Sequence, residues 1–328
     1  MMKRLIYTLD SMHNMRERLI CKIVYLSLSV VAISSVSFSQ NRSGVRSADY
    51  CAPALSYTYD TLYLPKANIE SILNEDTSLV RRFSRHDLLV ANAVGIIPLL
   101  QQWMRAKKNV TTDTRLEQTI IQSKIQSRLH LASTEIASLA AELDCAGEHA
   151  DQLATYLDQK DEKRIRKLTI LSIVIGAVTT GATALVDNEQ TNKVVGIGGG
   201  LISAVLGGMA AFSSHKTLFV EHKRNLLTDI WNENLNSSIY SPFVWYMLNE
   251  KSFSNTAQLS VIQNIRKRWQ AYALNEMNSR EVTLYFGPGG EYQQDDLHTR
   301  ANMLNQLQSS VRSINQDLQS LMLALSGW

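Results

Sequence analysis

Two long apolar segments separated by a short polar one are the feature that most restricts how this chain folds. LTILSIVIGAVTTGATALV covers residues 168–186 and VVGIGGGLISAVLGGMAAF covers residues 194–212, each nineteen residues long and without a charged side chain. As an α-helix, each segment would be about 28 Å long, close to the thickness of the hydrocarbon core of a bilayer. The polar segment 187–193 is short enough to form a turn. We therefore predict a transmembrane-type helical hairpin over residues 168–212.

Small residues recur every fourth position in both segments. The first row consists of Ser172, Gly176, Thr180 and Ala184, and the second of Gly196, Gly200, Ala204 and Gly208. Beside the second row runs another, made of Gly199, Ser203, Gly207 and Ala211. Small residues at this spacing let two helix backbones approach closely, which is how many membrane helices associate. Because a glycine costs a helix in water about 1 kcal/mol relative to alanine, so many glycines indicate a packing role, a glycine zipper.

The glycine-rich run has two other interpretations. Gly196-Ile197-Gly198-Gly199-Gly200 does not fit a dinucleotide-binding loop, because Leu201 stands where the motif needs glycine. It also lacks the Gly-Lys-Ser/Thr of a phosphate-binding P-loop. A soluble protein that buries the hairpin in its core, or in an oligomer, remains the alternative to membrane insertion.

The N-terminus has the layout of an export signal. Arg16, Arg18 and Lys22 precede an uncharged apolar stretch at residues 23–36, and Ser37 and Ser39 supply the small residues before a cleavage site at Gln40. This arrangement is typical of a secretory signal peptide. We predict a signal peptide at residues 1–39, with Met15 as an alternative start and an uncleaved anchor as the alternative outcome. The protein is then expected in the cell envelope, membrane-associated on the periplasmic side, or secreted.

The net charge of +3 belongs to the predicted signal peptide. The whole chain has 33 Lys and Arg against 30 Asp and Glu, and the first 40 residues hold five of the basic and two of the acidic ones. The remaining chain is therefore neutral overall. It has no continuous basic patch, so a nucleic-acid partner is not expected.

The charges that flank the hairpin conflict with the export signal. Five basic residues precede it, and three follow it: Lys160, Lys163, Arg164, Arg166, Lys167, Lys216, Lys223 and Arg224. Positive flanks normally stay on the cytoplasmic side of a membrane, whereas a cleaved signal peptide would carry both flanks out. Either the chain is not exported, or the hairpin does not enter the inner membrane during synthesis. The second alternative includes late insertion into another membrane, from a soluble form that first hides the hairpin.

Two further segments have apolar residues at alternating steps of three and four. The first lies in residues 66–167, a predicted helical stalk, and is marked by Leu129, Ile136 and Leu143. The second lies in the C-terminal segment 291–328 and is marked by Leu307, Ile314 and Leu321. This spacing is typical of a helix that packs along another helix. We predict that the two seams pack on each other in antiparallel orientation, with self-association of each seam as the alternative.

The rest of the chain predicts further helices and one small ribbon. Residues 66–108 read as one helix kinked at Pro98, and the helical region 213–280 contains amphipathic stretches at 216–236 and 255–278. Tyr57, Tyr59 and Leu62 mark a strand in the extended N-terminal segment 40–65, and EVTLYF marks a strand and turn at 281–290. We predict that these two strands pair. The fold class is therefore all-α, an elongated bundle of coiled-coil-like helices with the apolar hairpin and at most a two-stranded ribbon.

In architecture, this chain resembles the cytolysin-type α-helical pore-forming proteins. The resemblance rests on the order of a long helix at 129–157, the glycine-rich hairpin at 168–212 and a long returning helix at 304–325. It implies a hairpin that inserts or assembles in a bilayer.

No sequence motif predicts an enzyme. The chain contains neither His-Glu-x-x-His nor Gly-x-Ser-x-Gly. Cys145 and His149 lie four apart and would supply two zinc ligands, but no second pair completes a site. Cys145 and Cys51 would pair in an oxidising compartment or remain free thiols. We predict a non-enzymatic protein without cofactor, metal or small-molecule substrate, whose partners are the lipid bilayer and a second copy or another helical protein.

Overall fold

The computed structural model describes residues 51–327, except for 54–56, 76, 109–110, 186–188, 213–214 and 275–277. The predicted signal peptide lies outside the described residues. The helices are α1 Ile69–Glu75, α2 Thr77–Arg82, α3 Arg85–Val94, α4 Ile97–Ala106, α5 Thr112–Leu185, α6 Glu189–Ala211, α7 Thr228–Asn232, α8 Pro242–Asn249, α9 Val261–Tyr272, α10 Ser279–Phe286 and α11 Gln294–Ser326. The strands are β1 Leu218–Glu221 and β2 Gly289–Tyr292. The predicted all-α fold class with a small ribbon is confirmed.

Helix α5 is continuous over 74 residues. At 1.5 Å per residue it is about 110 Å long. Residues 112–167 of the predicted stalk and the first arm of the hairpin are therefore one helix, without a joint at residue 168. No proline occurs between Pro98 and Pro242, so the residue type that most strongly breaks a helix is absent.

Helix α11 packs along α5 in antiparallel orientation. Gln308 donates hydrogen bonds to Asp144 at 2.7 Å and to the Ala140 carbonyl at 3.2 Å. Ten residues earlier in α11, His298 contacts Asp151 at 2.8 Å, seven residues later in α5. The two predicted seams face each other here, because Ile136, Leu143, Leu307 and Leu321 are all completely buried.

The segment between residues 66 and 108 forms four short helices, so the prediction of one helix kinked at Pro98 is wrong. The second helix ends at Arg82, and Ser84 caps α3 by accepting a hydrogen bond from the Asp87 amide. Gly95 ends α3 in a left-handed conformation, with φ of 78°, and an added Cβ there would lie 2.1 Å from the Tyr63 carbonyl oxygen. Pro98 lies in the first turn of α4, where its missing N–H costs nothing.

The strand predictions at 57–62 and 281–286 are both wrong. Residues 57–60 have no regular structure, and Asp60 caps a turn of 3-10 helix at Thr61–Tyr63 by accepting from the Leu62 amide at 2.9 Å. EVTLYF lies in α10, which a reciprocal capping box between Asn278 and Glu281 starts. These caps and the burial of the last turn of α10 outweigh the strand preference of valine, threonine and aromatic residues.

The ribbon forms from other residues. β1 pairs with β2 in antiparallel register, with Leu218 opposite Tyr292 and Glu221 opposite Gly289. Leu218 and Val220 are buried, and Phe219 and Glu221 between them are exposed. The amphipathic helix predicted at 216–236 is wrong here, because this alternation has the period of a strand. Only the short α7 is helical in that stretch. The helix predicted at 255–278 is α9, which is shorter.

The ribbon and the short helices share one core with α5 and α11. Trp269 and Tyr292 are completely buried in it, and the rings of Trp231 and Phe286 stack at a centroid distance of 4.3 Å. The hairpin formed by the end of α5 and by α6 contributes almost nothing to this core, since Ala210 is the one buried residue of α6 among those described.

Candidate membrane hairpin

Helix α6 folds back along the last part of α5, and serine side chains join the two arms. Ser172 Oγ donates to the Ser203 carbonyl at 2.8 Å, and Ser203 Oγ donates to the Ser172 carbonyl at 2.9 Å. Further towards the tip, a Cβ at Gly196 would lie 3.6 Å from Thr183, and towards the base a Cβ at Gly207 would lie 3.5 Å from Ser172. The arms are therefore in contact along most of their length.

The closest approach is at Gly199. A Cβ on Gly199 would lie 1.9 Å from Oγ1, 2.4 Å from Cγ2 and 2.7 Å from Cβ of Thr179. Because Cβ of Thr179 stays in place when χ1 changes, a different Thr179 rotamer would not relieve the contact at 2.7 Å. Position 199 therefore requires glycine as long as the two helices keep this separation.

The structure separates the predicted small residues into two groups. Ser172, Gly176 and Gly196 lie on the contact between the arms, together with Thr179, Thr183, Gly199, Ser203 and Gly207. Thr180, Ala184, Gly200 and Ala204 are exposed. Added Cβ atoms at Gly200 and Gly208 would meet nothing within 4 Å. Within one chain, the row Gly199-Ser203-Gly207 faces α5, and the row Gly200-Ala204-Gly208 faces away from it.

The outer surface of both arms is apolar. The exposed residues on α5 are Ile170, Ile173, Val174 and Val178, and those on α6 are Val194, Ile197, Leu201, Val205 and Met209, followed by Phe212. Their exposed fractions lie between 45% and 90%. Contiguous apolar surface of this kind is rare on monomeric soluble proteins and marks an interaction with another apolar phase or protein.

Both helices of the hairpin are long and apolar enough to cross a membrane. A core helix of a soluble protein meets the same criterion, but it is mostly buried. Here 0% of the most apolar 18-residue stretch of α5 is buried within the chain, and 6% of the corresponding stretch of α6. The apolar character is therefore not explained by packing inside this chain.

The hydroxyl groups of the hairpin are satisfied by the hairpin itself. Thr179 and Thr180 donate to the carbonyls of Ile175 and Gly176, four residues earlier, at 2.7 and 2.9 Å. Ser172 and Ser203 bond each other, as described above. In a hydrocarbon environment a polar group without a partner costs several kcal/mol. The arrangement of these hydroxyls is thus compatible with lipid around the hairpin.

Asp161 holds the base of the hairpin together. It is a buried carboxylate on α5, and its Oδ2 accepts from the Lys216 amide at 3.0 Å and lies 3.6 Å from His215 Nδ1. Its other oxygen, Oδ1, has no hydrogen-bond partner in the described part of the chain. We call the part of the chain that shares the core around α5, α11 and the ribbon the helical domain. The contact of Asp161 fixes the chain that follows α6 to the level at which α5 leaves this domain.

The Cys145–His149 pair does not form a metal site. Cys145 is bonded to Cys51, with a Cα–Cα distance of 5.7 Å, so its sulfur is not a free thiolate ligand. His149 lines a cavity beside the disulfide, together with His222 and Arg300. Among the described residues there is no group of three His, Cys, Asp or Glu side chains placed to hold a metal ion.

His222 and Arg300 form a buried polar cluster around Tyr292. Tyr292 Oη donates to the Leu284 carbonyl, so Nε2 of His222, 2.8 Å away, must donate to Tyr292 Oη. Arg300 donates to the Tyr285 carbonyl at 2.9 Å and to Asn225 Oδ1 at 3.1 Å. Burial of the imidazole, together with electrostatic repulsion from Arg300 and from His149, lowers the pKa of His222 to about 2. The imidazole is therefore neutral and part of the support of the ribbon.

We expect this buried imidazole to make the helical domain acid-sensitive. The folded-state pKa of His222 lies below the unfolded value of about 6.5, so the unfolded chain binds a proton that the folded chain excludes. The stabilisation is complete above pH 6.5 and is lost as the pH falls towards 2. Lowering the pH from 7 to 5 should cost about 2 kcal/mol in the free energy of unfolding.

Thermal or denaturant unfolding at the two pH values measures this effect. His222→Gln, which keeps a donor for Tyr292 but binds no proton, should lose most of the pH dependence. His130→Gln, at an exposed position on α5, is the control and should keep it. An unchanged slope in His222→Gln would show that other groups cause the acid sensitivity.

Comparison with protein-family models, with curated proteins and with solved structures found no match.

Three of the residues that shape the hairpin gave no signal in the sequence. Thr179 and Thr183 make the contacts opposite Gly199 and Gly196, but a threonine in an apolar helix is not distinctive. Asp161 lies in a charged stretch, and its burial depends on where the chain returns after α6. The four-residue spacing of both rows of small residues could be recognised in the sequence, but it did not indicate which row faces the other arm.

Proposed function

We propose that this protein is a non-enzymatic, membrane-associated helical protein that is anchored in, or assembles in, a bilayer through the hairpin of α5 and α6. The outer faces of both arms would contact lipid, and the inner faces would contact each other. The helical domain formed around α5 and α11 would lie outside the membrane. The architectural resemblance to α-helical pore-forming proteins supports the same role.

The observation that carries the proposal is the exposed apolar surface on both arms. Ile173, Val178, Ile197 and Leu201 are between 65% and 72% exposed and lie within segments that are each long enough to span a bilayer. Burying apolar surface yields roughly 25 cal/mol per Å², so leaving these faces in water would be costly. Insertion into lipid removes them from water without a change in the contact between the arms.

We further propose that the protein is exported. Two features support this: the signal-peptide layout of residues 1–39 and the Cys51–Cys145 disulfide, a bond that persists mainly in oxidising compartments. The positive flanks of the hairpin would then be on the non-cytoplasmic side. Export is compatible with these positively charged flanks if the hairpin inserts after the helical domain has folded.

Fractionation of intact cells tests the proposal. We expect the protein in the envelope fraction and in the membrane pellet after washing with alkaline carbonate, which removes peripheral proteins. Recovery as a soluble monomer would contradict membrane association, and recovery from the cytosol would contradict export.

A second candidate is a soluble helical interaction module in which the hairpin is buried in an oligomer. The row Gly200-Ala204-Gly208 favours it, because this row faces away from α5 and a close helix from another chain would fit against it. This candidate predicts a detergent-free soluble oligomer. Sedimentation of the carbonate supernatant distinguishes it from a soluble monomer.

A further inference from the structure

The face of α5 that continues into the hairpin changes from basic to apolar within one turn. Lys160, Lys163 and Lys167 are exposed and lie three and four residues apart, so they share one face of the helix. The same face continues with Ile170, Val174 and Val178, which are 51%, 50% and 66% exposed. A boundary of this kind is typical of the level at which a helix leaves the hydrocarbon and enters the headgroup region.

Acidic residues nearby do not neutralise this face. Each residue of an α-helix is rotated by about 100° from the one before it. Asp158 and Glu162 are therefore rotated by about 100° to 180° around α5 from the three lysines, and lie on a different face of the helix. Asp161 is buried and accepts from the Lys216 amide. Lysine side chains on the basic face have long apolar stems, which lets them cover apolar surface while the ammonium groups reach the headgroups.

The second arm carries basic residues at the same level. Phe212, 90% exposed, directly follows the last residue of α6, and His215 and Lys216 come three and four residues after it. Asp161 contacts both of them, and so brings them to the level of Lys160 and Lys163. The tip of the hairpin is different, because Lys193 there pairs with Glu189 at 2.7 Å and the linking segment also contains Asp187.

We propose that Lys160, Lys163 and Lys167 bind the headgroups of anionic phospholipids in the leaflet that faces the helical domain. This inference rests on the proposed membrane insertion and adds its lipid class. An anionic surface attracts each nearby lysine by about 1 kcal/mol, or about fivefold in binding. The three lysines together give a preference for anionic over neutral bilayers, to which the tip, without an excess of basic residues, does not contribute.

Flotation of the full-length chain with vesicles tests the proposal. Vesicles of phosphatidylcholine alone are compared with vesicles that also contain phosphatidylglycerol, at low and at high salt. We expect at least about tenfold tighter association with the anionic vesicles at low salt and a smaller preference at high salt, because salt screens the attraction. The variant Lys160→Gln/Lys163→Gln/Lys167→Gln should lose most of the preference and keep its binding to phosphatidylcholine.

A control variant with the same change in net charge has its three substitutions outside the hairpin. Arg115→Gln/Lys124→Gln/Lys267→Gln replaces three exposed basic residues of the helical domain and should behave like the wild type. Equal binding of the wild type to both vesicle types, or an equal loss in both triple variants, would overturn the anionic-lipid proposal. Failure to bind any vesicle would instead contradict the proposed function itself.

Discussion

Val178→Asp/Leu201→Asp is expected to release the protein from membranes. Val178 and Leu201 are each 66% exposed and lie near the middle of the two arms. A carboxylate near the middle of a membrane helix costs about 3 kcal/mol, so two of them oppose insertion by about 6 kcal/mol. We expect the protein to move from the carbonate-resistant pellet to the supernatant.

The matched control places the same substitutions on exposed apolar residues outside the hairpin. Leu235 is 94% exposed and Tyr272 is 86% exposed, and Leu235→Asp/Tyr272→Asp should leave the protein in the pellet. If the hairpin faced water, both double variants would behave alike, because substitutions on a solvated surface change stability by less than about 0.5 kcal/mol. Retention of Val178→Asp/Leu201→Asp in the pellet would therefore contradict lipid contact at these positions.

Gly199→Leu is expected to separate the two arms, and Gly200→Leu is not. The Cβ of residue 199 would overlap three atoms of Thr179, whereas that of residue 200 would meet nothing within 4 Å of the same chain. Overpacking of this kind costs roughly 1–3 kcal/mol. The two variants have the same change in composition and in helix propensity, so a difference in the separation of the arms reports which of the two positions lies between them.

Cross-linking measures the separation. Ser172 Oγ and Ser203 Oγ are 3.2 Å apart, so cysteines at these two positions should form a disulfide between the arms on oxidation. We expect rapid cross-linking in the parent and in Gly200→Leu, and several-fold slower cross-linking in Gly199→Leu. The same rate in both leucine variants would mean that the arms do not meet at Gly199. Loss of oligomers in Gly200→Leu alone would place a second chain against the outward row.

Helices with a long regular pattern were the easiest part of the fold to predict. Leu129, Ile136 and Leu143 keep one spacing over several turns, and Leu307, Ile314 and Leu321 repeat it. The spacing therefore predicted each seam, and it favoured the packing of one seam on the other over self-association of each. The hairpin was predicted for the same reason, since two uncharged nineteen-residue segments with a polar link have few alternatives.

Short elements could not be predicted because contacts distant in sequence decide them. EVTLYF has the composition of a strand, yet Asn278 and Glu281 cap it as a helix and Phe286 stacks on Trp231. β1 and β2 are four residues each, and four of the eight short helices described, α7 to α10, lie between them in the chain. β2 contains two glycines, so its sequence resembles a turn more than a strand.

The sequence also could not show which row of small residues on α6 faces α5. Both rows on α6 have the same four-residue spacing and differ by a rotation of about 100° around the helix axis. Only the placement of Thr179 and Ser172 on the opposite arm determines that Gly199 and Gly207 face inwards. A helix with small residues on two adjacent faces has one face for each of two neighbours, and α5 is the neighbour on the inward face.

The environment of the outer face of the hairpin is the most direct test of the membrane account. Spin labels attached to single cysteines at Val178 and at Leu201, with Cys21 replaced by serine and the Cys51–Cys145 disulfide intact, report access to oxygen and to a water-soluble nickel chelate. In membranes, we expect high oxygen access and low nickel access at both positions, because oxygen concentrates in lipid. High nickel access would place these residues in water, low access to both reagents would place them against protein, and either result would contradict lipid contact.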